Sequence, residues 1–335
     1  MRQQKLKRLK RIISNFKGAK ILIVGDLILD EFIWGTVSRI SPEAPVPVVW
    51  AKRESFMPGG ACNVANNIVS LGGRAYLSGV IGGDEKGSVL KGELESKGID
   101  ISCVLVDETR HTTLKTRVVA HHQQVVRIDK ESVEPLKDDT ITKLTRHIRT
   151  KLTDADAVII EDYGKGVITP RLLKAIVPLA KRMKKIVAVD PKEEHFSYYR
   201  GVSLITPNTQ EAEKASGVEI KDEDSLFKAG GKILSRLGCR IALVTLGENG
   251  MCVFEKGSRP KHIPTIAQEV FDVSGAGDTV IAAYTLALVS GADPIEAAHV
   301  ANCAAGIVVR KLGTATVSPE ELIEKIHREK ERIEG

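Results

Sequence analysis

The segment Asp272-Val-Ser-Gly-Ala-Gly-Asp278 sets Ser274, Gly275, Ala276 and Gly277 directly ahead of a carboxylate, and a nearly unbroken apolar run follows to Val289. Glycines at a helix start let backbone N–H groups face an anion without interference from Cβ, and the helix dipole adds partial positive charge there. A phosphoryl group in transfer carries such negative charge. Asp278, in the first turn, could then accept a proton from an attacking hydroxyl while the amides of Gly275, Ala276 and Gly277 hold the phosphoryl oxygens. Taken alone, the same residues equally suit a tight turn before a buried helix, with Ser274 or Asp278 as its cap.

Two further stretches have chemical potential. "MPGGACNVANNIVSLGG" (57–73) is a second glycine turn before a helix, with Asn63 one turn in. Backbone amides and a side-chain amide offer both donors and acceptors, which suits sugar hydroxyls; close helix packing explains the glycines as well. "TPNTQEAE" (206–213) puts Asn208 and Glu211 three apart at a helix start, on one face. Glu211 could hold Mg²⁺ through water, or complement the helix dipole as a first-turn acid. Other phosphate-binding motifs are absent. Gly82 and Gly87 have P-loop spacing but are followed by Ser88-Val89, and Val280 stands where a G-x-G-x-x-G motif needs its third glycine. Protein-kinase signatures are absent too.

These residues need a scaffold. "KILIVGD" (20–26), "DAVIIEDYGKG", "KIVAVDPK", "VSLITPNTQE" and "RIALVTLGENG" are short apolar, β-branched runs ending in polar residues or glycine, the form of buried parallel strands. Helical patterns such as 169–184 and 226–237 follow them. The alternation predicts an α/β fold with a mostly parallel sheet covered on both faces. Ligands gather at the carboxyl ends of such strands, so Asp26, Asp162, Asp190, Asn208 and Gly247 are expected on one rim. Two β-rich stretches, 44–60 and 111–131, lack intervening helices and predict antiparallel strands. Neither makes a stable sheet alone, so they are expected to pair into a small lid, from about 32–58 and 111–130, inserted in a single domain spanning 1–335.

The chain carries a net charge of +6, yet eight basic residues and no acid lie within the first twenty, leaving the remainder at −2. Leu6, Leu9, Ile13 and Phe16 fall there at helical spacing, so the basic excess reads as the solvated face of an amphipathic helix rather than a nucleic-acid or membrane arm. No stretch reads as a secretory signal or membrane span, and a cytoplasmic location is expected. Cys62, Cys103, Cys239, Cys252 and Cys303 form no C-x-x-C pair and read as small buried residues. His121 and His122 lack partners at ligand spacing and read as strand residues.

In conjunction, Gly59-Gly60-Ala61-Cys62-Asn63, Asn208-Thr209-Gln210-Glu211 and the 272–278 segment resemble, in order and along nearly the whole chain, the signatures of the ribokinase-like (phosphofructokinase-B type) sugar kinases. "GDLILDEFIWGTVSRISPEAPVPVV" (25–49), "EDYGKGVITP" and "KLGTATVSPEEL" are similar to the branch that phosphorylates D-glycero-β-D-manno-heptose 7-phosphate at O1 on the route to ADP-heptose for lipopolysaccharide. The resemblance implies a three-layer sandwich with a β lid and the use of ATP and Mg²⁺, and leaves open whether a monovalent cation also takes part. Asp278 would be the base beside the anion hole of Gly275, Ala276 and Gly277. Asn208, Thr209, Gln210 and Glu211 would contact the ATP phosphates and the hydrated metal, with Gly247 and Asn302 near the nucleotide. Asp30, Gly59, Gly60 and Asn63 would bind the sugar. Val273 departs from the threonine common in the wider family, so only Ser274 could supply that hydroxyl. A phosphorylated substrate needs further cations, and Arg39, Arg117, Lys165 and Lys192, in the lid or at strand ends, are the candidates.

The expectation is a homodimer through the lid, with no nucleic-acid or membrane partner. The H-x-G-H motif of a nucleotidyltransferase is absent, which implies a stand-alone kinase and a separate nucleotidyltransferase later in the pathway. The alternatives are a kinase for another sugar, sugar phosphate or nucleoside, and a non-catalytic sugar- or nucleotide-binding regulator.

Overall fold

In the run from Lys20 to Gly25 successive side chains enter two different cores. Ile21 and Ile23 join one apolar cluster, Leu22 and Val24 the other, and all four are buried. A strand apolar at every position requires cover on both faces, and helices supply it. The computed structural model describes residues 2–121, 123–265 and 270–334.

The strands are β1 Lys20–Gly25, β2 Leu27–Ile40, β3 Pro47–Gly60, β4 Arg74–Gly82, β5 Asp100–Asp107, β6 Thr113–Ala120, β7 Gln123–Lys130, β8 Ala157–Glu161, β9 Ile186–Asp190, β10 Leu204–Ile205, β11 Ile241–Thr245, β12 Met251–Glu255 and β13 Lys261–Ile263. The helices are α1 Arg2–Ser14, α2 Ala61–Ser70, α3 Glu85–Ser96, α4 Asp138–Leu152, α5 Pro170–Arg182, α6 Thr209–Ser216, α7 Glu223–Leu237, α8 Ala276–Val289, α9 Pro294–Val308 and α10 Pro319–Glu334. One sheet runs β13-β12-β11-β10-β9-β8-β1-β4-β5, parallel except where β12 pairs antiparallel with β11 and β13. Side chains of α1, α2, α8, α9 and α10 fill one core, and those of α4, α5 and α7 the other. The expected α/β sandwich is present.

Local chemistry sets the helix starts. Thr169 caps α5 by accepting from the Leu172 amide, with Pro170 at the first helical position. Asn208 and Glu211 form a reciprocal capping box on α6. Helix α8 is apolar on all sides and buried from Asp278 to Ala287, as a helix enclosed by its neighbours must be.

The second sheet has the order β3-β2-β6-β7. Its strands begin closer to the core than expected, at Leu27 and ending at Gly60, because β2 and β3 pair from Leu27↔Gly60 outward. The β2–β3 and β6–β7 pairs are antiparallel, but β2 and β6 run parallel, correcting the all-antiparallel expectation. Alternation along a strand shows which residues share a face, not which strand lies alongside. Along β7 every residue is exposed. His121 lies in the turn after β6 with φ 49° rather than in a strand, and His122 falls outside the described residues.

Helix α1 forms as expected, burying Leu9 and Ile13 together with Ile12, and Phe16 follows in a short turn. All five cysteines are buried. Among the described residues no helix is long and apolar enough to cross a membrane.

Candidate active site

Asp278 occupies the first turn of α8 with only 3% of its surface exposed. Asn63 Nδ2 donates to its Oδ2 at 2.6 Å and the Tyr163 hydroxyl donates to its Oδ1 at 3.0 Å. A short chain of side chains orients the amide: Thr279 Oγ1 donates to Asn67 Oδ1 at 2.9 Å, and Asn67 Nδ2 to Asn63 Oδ1 at 3.3 Å. Burial raises the Asp278 pKa to about 6, while the Asn63 and Tyr163 donors pull the other way. That value suits a group that must be ionised at neutral pH and still take a proton.

Gly275 caps α8 with φ 74°, a left-handed conformation, and a Cβ there would lie 2.5 Å from Asn63 Nδ2. The missing side chain therefore makes room for the residue that holds Asp278, a reason the sequence does not reveal. Of the three amides expected to cradle an anion, that of Ala276 donates to Val273 O at 3.2 Å; Gly275, Gly277 and Asp278 line the cavity. Val273 itself is exposed, and the Ser274 amide donates to Asp272 Oδ1.

The cavity, of about 280 Å³, lies over the carboxyl ends of β8 to β11 and the start of α8. Asp162, Tyr163, Asp190, Lys192, Asn208 and Glu211 are among its walls. The strand-end acids divide by use. Asp26 accepts the amides of Tyr163, Lys165 and Val167, so it anchors the 163–167 loop instead of facing the rim. Asp162 accepts the Tyr199 hydroxyl and the Gly164 amide. Asp190 accepts from Thr206 Oγ1 at 2.8 Å and shares a side-chain hydrogen bond with Glu161. Behind it Glu161 is fully buried, and burial plus the charges of Asp190 and Asp278 hold its carboxyl well above the ordinary range.

Asn208 and Glu211 line the cavity while capping α6: Asn208 Oδ1 accepts the Glu211 amide, and Glu211 Oε2 accepts the Asn208 amide. Thr209 and Gln210 follow in the first turn, and Thr209 Oγ1 donates to Thr245 O. Gly247 stands in the exposed turn after β11, outside the cavity wall. Asn302 is buried and donates to Pro264 O at 2.7 Å, fastening the segment after β13.

The second sheet brings charge toward Asp30 and Gly59. Asp30 is buried beside Gly59, where a Cβ would meet its Oδ2 at 2.4 Å; Gly60 follows with φ 54°. Arg117 Nη1 donates to Asp30, and its guanidinium lies over the Phe32 ring. The register places Lys115 opposite Asp129, Arg117 opposite Arg127, and Asp30 beside Lys115. Arg127 pairs with Asp129, and Lys115 with Asp129 and Glu131, so the cations of this face are held in an ion-pair network with three acids. Lys165 pairs with Glu131 at 2.7 Å, Lys192 lines the cavity, and Arg39 stands exposed at the far end of β2.

Sequence reasoning passed over Tyr163, Glu161 and Arg127. For Glu161 and Tyr163 the "EDYGKG" ending of β8 was the available signal, a strand delivering polar residues to the rim, but Asp278, the partner of Tyr163, lies 115 residues beyond it; Arg127, on β7, carried no such signal.

Comparison with known proteins agrees with this geometry. The pfkB family carbohydrate kinase pattern matches residues 19–321. "Bifunctional protein HldE" of Geobacter metallireducens is 47% identical over 317 residues, 95% of this chain and 65% of that protein. Its namesake in Pelobacter propionicus is 45% identical over 320 residues, 96% of this chain and 66% of that one. The chain thus spans a little under two thirds of the length of these relatives. Phosphofructokinase-2 from Escherichia coli, solved with substrates and products, superposes with a TM-score of 0.77 at 19% identity, covering 92% of this chain and 99% of that one. Arabidopsis thaliana ribokinase with ribose and ATP gives 0.72 at 20% identity, covering 92% and 98%; at such identities the likeness concerns the fold alone. With the family pattern matched from β1 into α10 and its motif residues gathered around one buried carboxylate, the chain belongs to the pfkB family of carbohydrate kinases.

Proposed function

We propose that the protein transfers the γ-phosphoryl group of ATP to O1 of D-glycero-β-D-manno-heptose 7-phosphate, giving the 1,7-bisphosphate. The observation that carries the chemistry is Asp278, buried and held by Asn63 and Tyr163 at the start of a helix that opens on a cavity. In this reading Asp278 takes the proton of the O1 hydroxyl as O1 bonds to the γ-phosphorus, and the bond to the β–γ bridging oxygen breaks to release ADP. Helix-start amides at Gly275 and Gly277 stabilise the charge on the equatorial oxygens.

Mg²⁺ fits the donor set. Asp190 and Glu211 bring hard oxygen ligands to the cavity that also takes the phosphates, and Glu211 would act through water. When bound, the ion neutralises phosphate charge and orients the γ-phosphoryl group. A monovalent-cation requirement belongs to the same reading, and turnover in potassium against a bulky organic cation tests it.

The sugar-phosphate specificity is supported by the lid face, where Lys115, Arg117 and Arg127 converge near Asp30, and by 43–47% identity to HldE proteins over more than nine tenths of the chain. The exposed strand β7 supports a homodimer through the lid, because an unpaired edge with exposed Val126 and Ile128 invites cover. A cytoplasmic site of action accords with the intracellular supply of ATP. The bisphosphate belongs to the substrate class that a later nucleotidyl-transferring activity needs.

Coupled ADP detection over a panel of sugars, with ³¹P NMR of the product, tests the reading. Heptose 7-phosphate should be preferred and should gain an anomeric phosphate. Preferred turnover of an unphosphorylated sugar would overturn the substrate assignment, and absence of transfer to every acceptor would favour a binding role.

A further inference from the structure

Asp162, the first residue beyond β8, braces two of the turns that frame the cavity. Its side chain is completely buried. Oδ1 accepts the Gly164 amide at 2.9 Å, while Oδ2 accepts the Tyr199 hydroxyl at 2.7 Å and meets His195 Nδ1 at 2.8 Å. Facing a carboxylate, the imidazole donates through Nδ1. The Tyr199 hydroxyl in turn accepts the Lys192 amide at 2.9 Å, so one carboxylate reaches the backbone of the turns after both β8 and β9. Tyr199 itself lies wholly inside the core, with Phe196 edge-on to its ring at 5.9 Å. A phenylalanine would fill the same space; what the hydroxyl adds is the link between Asp162 and Lys192.

Lys192 is the one cation among the described residues lining the cavity, against the carboxylates of Asp162, Asp190, Glu211 and Asp278. Its stem runs beside Gly164, where a Cβ would lie 3.5 Å from Lys192 Cγ and 3.7 Å from its Cε. Gly164 is held by Asp162 too, so the backbone and the flank of the lysine are both set by the same carboxylate. The ammonium lies 3.7 Å from Glu194, in a pair whose two side chains are 39% and 60% exposed. A long, exposed pair of this kind contributes little and yields readily to a stronger anion. Lys115 and Arg117 stand around Asp30 on the second sheet, whereas Lys192 shares its wall with Asn208 and Glu211 at the start of α6.

We infer that Tyr199 and His195, acting through Asp162, are positioning residues that hold Lys192 on the nucleotide side of the cavity, where its ammonium meets the polyphosphate and not the phosphate of the sugar. The inference rests on the phosphoryl-transfer reading for its nucleotide, and is independent of which sugar accepts. Lysine is a point charge on a flexible stem, and fixing its backbone and flank beforehand lowers the cost of ordering it when the anion binds.

Calorimetry of the full chain with Mg²⁺ and the imido analogue of ATP, without sugar, tests this, with AMP as the control ligand. Lys192→Met keeps the stem and removes the charge; it should weaken the analogue about tenfold, the scale of one charge-assisted hydrogen bond, and leave AMP unchanged. Tyr199→Phe should weaken the analogue about threefold to tenfold, the scale of one neutral hydrogen bond. In the Lys192→Met background it should have no effect, because two residues that act through one contact are not additive. His195→Ala should lower affinity in the same manner, and His195→Asn, whose amide donates from the position of Nδ1, should restore it. Should Tyr199→Phe fail to fold, the two His195 variants carry the test. Unchanged analogue affinity in Lys192→Met, an equal loss for AMP, a loss from the brace variants that persists without the lysine charge, or a wild type that binds no analogue overturns the inference. Transfer to heptose 7-phosphate can fail while this pattern holds, and the pattern can fail while transfer holds, so the two are decided separately.

Discussion

Asn63 Nδ2 lies 2.6 Å from Oδ2 of Asp278, although 215 positions separate them in the chain. The contact joins the two glycine turns: one supplies the amide, the other the carboxylate. The Asn63 amide cannot turn around, because its Oδ1 accepts from Asn67. Asp278→Asn would place a second amide against that donor and remove the proton acceptor. Turnover should fall by about 10³-fold, within the usual range for loss of a general base, with ATP affinity by calorimetry changed only a few-fold. Near-normal turnover would remove Asp278 from the base role.

Tyr163 predicts a pH effect of defined sign. Asp278 titrates at about 6, and the Tyr163 donor favours its ionised form. Turnover should therefore rise with pH up to about 6 and then level off. Tyr163→Phe removes a donor to the carboxylate, so its acid limb should move to higher pH. The heptose phosphate also titrates near 6, but that contribution is identical for both proteins, so the difference between their profiles reports Asp278. Superimposable profiles would leave the tyrosine a packing role only.

Gly275→Ala should impair both fold and turnover. Its φ of 74° disfavours any side chain, and the new Cβ would press on Asn63 Nδ2. Left-handed backbone strain is worth about 1–3 kcal/mol, and displacement of Asn63 adds a loss in kcat. Denaturant melts and steady-state kinetics should both show it, whereas Gly231→Ala, with open space around the new Cβ, should leave turnover unchanged.

Arg117 can exchange its Asp30 partner for phosphate. Arg117→Ala and Arg127→Ala should each raise KM for the sugar phosphate by about tenfold, the scale of one charge-assisted hydrogen bond, with KM for ATP unaltered. Equal effects on both substrates would assign these arginines to lid structure.

Ile128 is 57% exposed on the outermost lid strand. Ile128→Glu should convert a dimer to a monomer in light scattering with little change in melting temperature of the isolated chain. A wild type already monomeric at all concentrations would dismiss the lid interface.

The main sheet was legible because its strands are apolar at every position, and helix starts because caps and glycines stand beside the runs they begin. Long-range pairing was not legible. Nothing local to Tyr163 indicates a hydrogen bond to Asp278, and an alternating strand such as β2 does not declare that β6 lies parallel to it. The sequence marks Gly275 as a glycine ahead of a carboxylate, but the room it leaves is for Asn63, contributed by a helix far away in sequence. Asn63 was assigned to the sugar because an isolated amide suits hydroxyls; in the fold, both ends of that amide serve other side chains.

Strand β2 starts in the buried core at Leu27, carries Asp30, and continues without a break to the exposed Ile40. The lid is therefore joined to the core by paired strand rather than by a loop, and Asp30 stands where the two meet. A force at the tip, whether from a second subunit or a closing ligand, reaches Asp30 through paired backbone rather than across a loop. In the proposed reaction, stiffness in that ladder would then help set how firmly the substrate is presented to Asp278.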